Sequence, residues 1–478
     1  MRSNNITRRS FVTAAAVLPL AAASTASSPT TARLSSYMSE AGRQPLPEEA
    51  LEKTKQHILD TFAAIVSGSQ LAPGRFAINF ARAHSAEKTA TVVASDVVCG
   101  AIEAAFSNAM LAHSDETDDS HAPSESHPGA SVVPAGLATG EQFNIDGSRF
   151  LRAVALGYDV GTRVTMTVGV GGFQTANHIS THALAGTFGS AAAAGCAAGL
   201  NERQMRWLID YASQQASGIK TWQRDSDHIE KAFLFAGMPA RNGITAALLV
   251  QAGATGVDDV LSGQDNFLAG YAPQADPANL IEKLGERYEI TRTNIKKWTV
   301  GSPIQAPLDA LEIILKRRPL DPEQVQSVIV RVATSEASLV NNREMPDICM
   351  QHMIAVMLLD KTASFQAAHD KPRMQDPAIL KQRAKVQLIP DAELERRLPA
   401  RVAIVEVTLV DGSRLSETVK AVRGTAENPM PREEVIAKSR DLMTPVLGAE
   451  RCAKLIQATL NLEKLKSVRE LRPWLQRT

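Results

Sequence analysis

The chain has 478 residues, of which 51 are basic and 51 are acidic, so its formal net charge is zero. Lysine and arginine are dispersed along most of the chain, which excludes a general electrostatic attraction to nucleic acid or to an anionic membrane. The length predicts two domains, and a low aromatic content (5%) with abundant alanine predicts closely packed helices.

The N-terminus is typical of an export signal. Arg8 and Arg9 precede a moderately apolar run at 13–23, and small residues continue through Ala26. A twin-arginine pair before a short hydrophobic region is the pattern of a Tat signal peptide. We therefore expect residues 1–32 to be signal and disordered start, the Tat export machinery to be a partner, and the mature protein to be periplasmic or secreted. No later segment offers ~20 uninterrupted apolar residues, so no membrane association is expected after signal removal.

Residues 33–280 are predicted to form the first part of an all-α domain. From 47 to 68 the apolar residues recur at helical spacing, and Gly68 is a suitable stop. The same spacing recurs in the segments 100–112, 130–142, 148–166, 181–199, 203–217 and 240–253. Alanine and glycine within 181–199 predict a close approach between helices. The four cysteines are far apart and form no C-x-x-C pair, so we expect them to be small buried hydrophobic residues.

The character of the chain changes after a loop at 270–277. A helix at 303–317 precedes two alternating apolar runs at 325–333 and 402–410. Asp411-Gly412 then gives a strong hairpin signal, with a return strand at 415–422. Residues 281–425 are therefore predicted to form a smaller α+β domain. Helical periodicity returns at 431–475, so residues 426–478 are expected to rejoin the first domain in a mainly α fold.

The most informative segment is 108–129, which lies between two apolar helical stretches. It holds three histidines and five carboxylates: His113, His121, His127, Asp115, Glu116, Asp118, Asp119 and Glu125. Unpaired buried charge is costly, so this segment must either be solvated or line a polar cavity. Mixed imidazole and carboxylate groups are what proton transfer near neutral pH requires.

The sequence is also compatible with two other kinds of site, a metal site and an anion-binding site. The same groups could ligate zinc, iron or manganese, and His178 and His182 stand four residues apart on one helical face. No tight ligand spacing such as H-E-x-x-H is present, so a metal-free acid–base site is favoured. Lys296 and Lys297 precede the turn that starts the 303–317 helix, where backbone N–H groups could hold an anion.

The order of several segments resembles the MmgE/PrpD family, whose members include 2-methylcitrate dehydratase, cis-aconitate decarboxylase and iminodisuccinate epimerase. The matching pieces are 58–68, 104–113 with 118–129, 186–193, 240–243 and 356–360. The resemblance implies a helical domain built from both ends of the chain, a smaller α+β lid and an active site in the cleft between them. It also implies a homodimer that acts on a small di- or tricarboxylate and uses no metal or other cofactor.

The resemblance assigns site residues with several departures from the family pattern. His127 matches the family's His-Pro histidine, and Ser120 stands where a small hydroxyl residue follows the Asp-Asp pair. Glu116 replaces the first Asp of the D-x-D-D pattern, and one extra residue separates Asp119 from His127.

Other family positions are altered as well. In the family pattern the second catalytic histidine stands at the position that is Ser180 in this chain. His178 and His182 lie on either side of it, and we assign the role to His182. Lys231 corresponds to a family lysine with an offset of one residue. Gln305 stands where a lid histidine is common, and no tyrosine follows Tyr288 to supply the family's lid tyrosine.

We therefore expect a cofactor-independent, dehydratase-like lyase that abstracts a proton next to a carboxylate. The resemblance places His127, His182, Lys231 and Asp118 in catalysis, with His127 and His182 as the acid–base pair and Asp118 orienting an imidazole. Substrate binding is assigned to His113, Glu116, Ser120, Lys296, Ser302 and Gln305. Lys231 and the lid residues Lys296, Ser302 and Gln305 are expected to form a clamp around the substrate carboxylate. Two alternatives are an epimerase of an iminodisuccinate-like dicarboxylate that uses two bases, and a non-catalytic periplasmic carboxylate-binding protein.

Overall fold

The structure is a computed structural model that describes residues 27–477. The twin-arginine pair of the predicted export signal therefore lies outside the described residues. Helix α1 (Pro29–Glu40) begins ahead of the predicted domain start at residue 33. The carboxylate of Asp259 accepts hydrogen bonds from the Ser28 N–H and the Thr31 hydroxyl, both at 2.6 Å. Residues 29–32 thus belong to the folded helical domain and not to a disordered start.

The first part of the chain is a helical domain, as predicted. Its helices are α1, α2 (Glu48–Gly68), α3 (Ala72–Ala83), α4 (Ala101–Ala112), α5 (Gly129–Phe143), α6 (Gly147–Val168), α7 (Val170–Asn177), α8 (Thr181–Ala198), α9 (Glu202–Gln214), α10 (Ile229–Ala232), α11 (Met238–Gln251) and α12 (Phe267–Tyr271). Two short antiparallel strands, β1 (Ala90–Thr91) and β2 (Val98–Cys99), precede α4. A π-helical turn, Phe233–Gly237, joins α10 to α11. The helical run Ile229–Gln251 is long and apolar enough to cross a bilayer, but 67% of its most apolar window is buried within the protein.

Glycine allows α6 and α8 to cross closely. A Cβ at Gly157 would lie 2.7 Å from the carbonyl oxygen of Gly189, and a Cβ at Gly161 would lie 2.2 Å from that of Ala185. Neither backbone could approach this closely if the glycine carried a side chain. The close helix–helix approach predicted for 181–199 is confirmed.

The lid is the predicted α+β unit, with one strand that the sequence did not indicate. It contains α13 (Ser302–Arg317), β3 (Val325–Ala333), α14 (Thr334–Val340), α15 (Met350–Asp360), α16 (Phe365–His369), α17 (Pro377–Arg383), β4 (Val386–Asp391), α18 (Ala392–Glu395), β5 (Ala403–Leu409) and β6 (Arg414–Val419). The strand order is β4-β3-β5-β6, in which only the β3–β4 pair is parallel. The missed strand, β4, lies at the sheet edge, is only partly buried and contains a proline, so it lacks a clear alternating pattern.

The chain then returns to the helical domain through α19 (Arg432–Leu447), α20 (Ala449–Leu460) and α21 (Arg472–Leu475). This C-terminal part also contacts residues 108–129, which we call the polar segment. The Nζ of Lys438 lies 2.6 Å from Asp60 on α2 and donates to the Thr117 carbonyl at 3.1 Å. The predicted return of the C-terminal part to the bundle is therefore observed.

Two separate apolar cores underlie the two units. The first contains buried residues from Leu34 to Ile295 and again from Met430 to Leu475, whereas the second runs from Trp298 to Val422. The division between the units therefore lies at 295–298, downstream of the predicted boundary at residue 281. All four cysteines are buried and free, as expected from their spacing.

Candidate active site

The polar segment between α4 and α5 is an internal network and not a solvated loop. Its ionisable residues from 113 to 121 are all buried: His113, Asp115, Glu116, Asp118, Asp119 and His121. Ser120 and Asn294 exchange two backbone hydrogen bonds of 3.0 and 2.8 Å, which tie the segment to the chain that enters the lid. Buried charge requires partners, and the partners come from both units of the protein.

Asp118 lies between two imidazole rings. Its Oδ2 accepts a hydrogen bond from Nδ1 of His113 at 2.9 Å and lies 3.3 Å from Nδ1 of His127. Burial alone would raise the pKa of Asp118, but His113, His127 and Lys296 together hold that pKa well below its usual value. The Asp118 carboxylate is therefore ionised and lies beside the Nδ1 edge of His127, and its role in orienting an imidazole stays a prediction.

Glu116 brings the two predicted lysines together. The Nζ of Lys231 is in direct contact with Oε1, and the Nζ of Lys296 lies 3.5 Å from Oε2 and donates to the Glu116 carbonyl at 2.9 Å. Burial would raise the pKa of Glu116, but the two ammonium groups and His113 hold it well below its usual value. The predicted clamp lysines are thus already paired with Glu116, so a substrate carboxylate near them would have to share or displace that pairing.

Phe235, in the π-helical turn, is the centre of a histidine cluster. Its ring stacks on His182 with centroids 3.8 Å apart and on His113 at 4.8 Å. His127 lies 5.1 Å from His182, again between ring centroids. The ring centroid of His228 lies 5.2 Å from that of His113. π-Helical turns are frequent at functional sites, and this one inserts an aromatic ring among the titrating groups.

Burial lowers the pKa of three of these imidazoles, those of His127, His182 and His228, and so favours their neutral form. It lowers the pKa of His127, with Lys296 and His113 adding to the effect and Asp118 opposing it. For His182, burial and the neighbouring His127 and His113 hold the pKa well below its usual value. Burial, Lys231 and His113 lower the pKa of His228 to about 3. Neutral imidazoles can accept protons at neutral pH.

The structure distinguishes among the three candidates for the second histidine. His178 is exposed at the end of α7, and the hydroxyl of Ser180 is buried without a hydrogen-bond partner among residues 27–477. His182, on the first turn of α8, lines the same cavity as His127. His182 is therefore the residue whose position fits the predicted role.

Asp119, next to Asp118, holds the two sides of the segment together. Its carboxylate accepts hydrogen bonds from Nδ1 of His57 at 2.8 Å, from the Gly129 N–H at 3.0 Å and from the hydroxyl of Tyr158. The Gly129 bond lies two residues after His127, at the start of α5. Asp119 thus fixes the position of the catalytic candidate without facing the cavity.

The two lid residues predicted to bind substrate, Ser302 and Gln305, lie in different surroundings. Ser302, the first residue of α13, lines the cavity together with Ser120. The Gln305 amide accepts from the Trp298 N–H at 3.1 Å and donates to the carbonyls of Trp298 and Val300 at 2.7 and 2.8 Å. Because the oxygen and the nitrogen of the Gln305 amide both form hydrogen bonds with the backbone, this side chain stabilises the loop before α13. It has no free donor for a substrate carboxylate.

One cross-domain cluster was missed by the sequence reasoning. Nε2 of His369, at the end of α16 in the lid, lies 2.9 Å from Asp115 in the polar segment. Asp347 is buried beside this pair, and burial raises its pKa to about 6. Burial would lower the pKa of His369, but Asp115 and Asp347 raise it to about 9. An isolated histidine on a short helix gives no sequence signal for this pairing.

A cavity of about 700 Å³ opens between the two units. On the side of the helical domain it is lined by His127 and His182, which we call the histidine wall. On the side of the lid it is lined by Ser302, Ser335 and Arg401. The His127 side chain is 9% exposed, so only its edge reaches the cavity. Five further predicted residues are buried and do not line this cavity: His113, Glu116, Asp118, Lys231 and Lys296.

Among residues 27–477, two sets of side chains have the spacing of metal ligands. His113, Glu116 and His228 form one set, and His113, Asp118 and His127 form the other; within each, the ligand atoms lie within 4.8 Å of one another. Lysine ammonium groups already face both carboxylates, so a divalent cation would have to displace or repel them. The charge arrangement favours the acid–base interpretation of these residues.

Comparisons with known proteins agree with the resemblance seen in the sequence. Residues 32–279 match the family model of the MmgE/PrpD N-terminal domain, and residues 298–464 match that of the MmgE/PrpD C-terminal domain. The second match begins where the second apolar core begins.

Curated relatives are similar over nearly the whole chain. A cis-aconitate decarboxylase of Aspergillus terreus (strain NIH 2624 / FGSC A1156) is 24% identical over 94% of this chain and 96% of its own length. The cis-aconitate decarboxylase-like protein oryM of Aspergillus oryzae is 23% identical, with 92% and 96% covered. The cis-aconitate decarboxylase of Homo sapiens is 23% identical, with 88% and 89% covered.

Proposed function

The chain belongs to the MmgE/PrpD family, and on that premise we propose that it is a lyase that acts on a small di- or tricarboxylate by proton transfer at the carbon next to a carboxylate. The observation that carries this proposal is the position of His127. Its Nδ1 faces the ionised Asp118 and its edge reaches the cavity, so Nε2 is the nitrogen available to a substrate. A neutral, oriented imidazole at a cavity wall is suited to general acid–base catalysis.

The charges behind the wall would stabilise the intermediate. Removing a proton from a carbon next to a carboxylate places a second negative charge on that carboxylate, which requires cations or hydrogen-bond donors near its oxygens. Lys296 lines a second cavity that shares Ser120 and Ser302 with the first, and Lys231 is buried against Glu116. These ammonium groups would supply that stabilisation if their ion pairs shifted from Glu116 toward the substrate carboxylate. Expulsion of a β-hydroxyl from the intermediate would complete a dehydration.

The relatives add decarboxylation to the reactions worth testing. They are named for cis-aconitate, an unsaturated tricarboxylate. Loss of CO₂ from such an acid leaves an electron pair that must be quenched by a proton on carbon. A proton taken up from water by His127 or His182 would be delivered to that carbon, so the same pair of groups would serve either lyase reaction.

Epimerisation is the alternative reaction for the same two histidines. Two bases on opposite faces of one carbon need nitrogens roughly 6 Å apart across it, twice the usual ~3 Å reach of proton transfer. The ring centroids of His127 and His182 are 5.1 Å apart, a separation compatible with that requirement. The lyase is ranked first because the curated relatives are named as lyases.

The test is isotope exchange in D₂O with cis-aconitate, citrate and related carboxylates, followed by NMR. We expect solvent deuterium in the product together with loss of water or CO₂. His127→Gln should lower the rate about 10²–10⁴-fold, the usual contribution of positioned proton transfer. His84→Gln, which alters an exposed histidine on another part of the helical domain, is the matched control.

Other outcomes would replace the proposal. Deuterium exchange without loss of water or CO₂ would favour an epimerase. Tight binding without exchange would favour a carboxylate-binding protein. Full activity in His127→Gln would remove this histidine from the mechanism.

A further inference from the structure

A second cavity beside the histidine wall is strongly basic. It has a volume of about 290 Å³ and is lined by six cationic side chains, which we call the basic vestibule: Arg292, Lys296, Arg397, Arg401, Lys420 and Arg423. Glu427 is the acidic residue in the lining. Since the whole chain has equal numbers of basic and acidic residues, this concentration of positive charge is a local feature of the lid and its junction.

The cations of the basic vestibule differ in how far they are already paired. Arg423 is held by both carboxylate oxygens of Glu434, and Arg292 donates to Glu289 at 2.8 Å. Among residues 27–477, the structure gives no side-chain hydrogen bond or ion pair for Arg397 or Lys420, and both are exposed at the cavity. These two side chains are therefore free to meet a ligand.

Arg401 connects the basic vestibule with the histidine wall. Its Nε is paired with Glu336, which leaves the two terminal nitrogens of the guanidinium without a recorded partner among residues 27–477. Arg401 lines both cavities, as do Ser120 and Ser302. Ser302 is also the first residue of the sixteen-residue helix α13, whose N-terminal dipole adds to the positive potential. An anion could thus pass from one cavity to the other without leaving a positive field.

We propose that the basic vestibule is an anion-binding entry site that uses Arg397 and Lys420 to capture polyanionic ligands and pass them, by way of Arg401, to the histidine wall. The site takes compounds with two or more closely spaced negative groups, which include polycarboxylates and also inorganic pyrophosphate. That the captured polycarboxylate is the substrate rests on the proposed function. Clefts of one charge typically raise association rates 10–10³-fold, and the gain falls with ionic strength.

The double variant Arg397→Glu/Lys420→Glu tests this site. We expect kcat/KM to fall at least 10-fold at low salt, with the loss in KM, and the difference from wild type to shrink at high salt because exposed charges are screened. Isothermal titration with inorganic pyrophosphate should show at least 10-fold weaker binding. Arg397→Gln/Lys420→Gln should give a smaller loss in the same direction.

The matched control is Lys371→Glu/Arg414→Glu, which makes the same change in net charge at exposed lid positions that line neither cavity. Equal pyrophosphate affinity in the test and control variants would overturn the entry site. Weaker pyrophosphate binding in the test variant, with no carboxylate turned over by wild type, would support the entry site and refute the proposed function. Carboxylate turnover by wild type, with equal salt dependence in both double variants, would support the proposed function and refute the entry site.

Discussion

His369→Gln removes the imidazole through which the lid holds the polar segment of the helical domain. The His369 ring forms an ion pair with Asp115 at 2.9 Å, and its Nδ1 donates to the Phe365 carbonyl at 2.6 Å. Glutamine retains a donor but carries no charge, so the variant leaves the Asp115 carboxylate buried without its cation. Breaking a buried ion pair in this way is usually strongly destabilising.

The size of the effect follows from the pKa. Asp115 and Asp347 outweigh the effect of burial and raise the pKa of His369 from 6.5 to about 9. A difference of about 2.5 units corresponds to about 3 kcal/mol of folding free energy. The folded protein binds this proton more tightly than the unfolded chain does. The stabilisation is therefore complete below about pH 6.5 and is lost as the pH rises to about 9.

The assay is a double-mutant cycle of His369→Gln and Asp115→Asn, with the free energy of unfolding in urea measured at pH 6.5 and pH 9.5. Because Asp347 also contributes to the raised pKa, we expect a coupling energy between about 0.5 and 3 kcal/mol at the lower pH and a smaller one at the higher pH. His84→Gln, at an exposed position, should show no comparable dependence on pH. A coupling energy below about 0.5 kcal/mol at both pH values, or one that grows with pH, would refute the reasoning.

Two further substitutions test how the site is supported. In Gly129→Ala the new Cβ would lie 2.5 Å from the Tyr158 hydroxyl and 2.7 Å from an Asp119 oxygen, so we expect a loss of about 1–3 kcal/mol and lower activity. Thermal unfolding measures the loss. The control is Gly172→Ala, which has open space around its Cβ and should be neutral or stabilising. Equal stability of the two variants would contradict the packing argument. Gln305→Met retains the shape but removes three hydrogen bonds, so urea unfolding should show a loss of about 2–4 kcal/mol. Unchanged stability with a raised KM would instead make Gln305 a substrate ligand.

Much of the fold could be predicted because its signals are local. Apolar residues at helical spacing placed helices at 100–112 and 148–166, and the structure has them at Ala101–Ala112 and Gly147–Val168. The Asp411-Gly412 turn between alternating runs predicted the β5–β6 hairpin, which pairs Ala403 with Val419. Such patterns depend on neighbours along the chain, so the sequence contains them in full.

The family resemblance named His127, Asp118, Lys231 and Lys296 as candidate site residues, and these roles stay predictions. Their arrangement was not readable. Sequence reasoning treated Lys231 and Lys296 as a free clamp for substrate, whereas the folded chain pairs both with Glu116. It assigned Gln305 to substrate, whereas the backbone of its own loop engages the amide.

Tertiary structure alone decided the contacts between residues distant in sequence. The choice of His182 over His178 depends on which side of a helix start faces the cavity. The pairing of Asp115 with His369 joins positions more than two hundred residues apart, and the chain must fold before either carboxylate or imidazole acquires its shifted pKa. The sequence by itself determined the helical framework, the lid and the chemical groups available for catalysis. Packing determined which of those groups are buried, paired or open to a substrate, because burial and charge pairing arise only when separate segments meet.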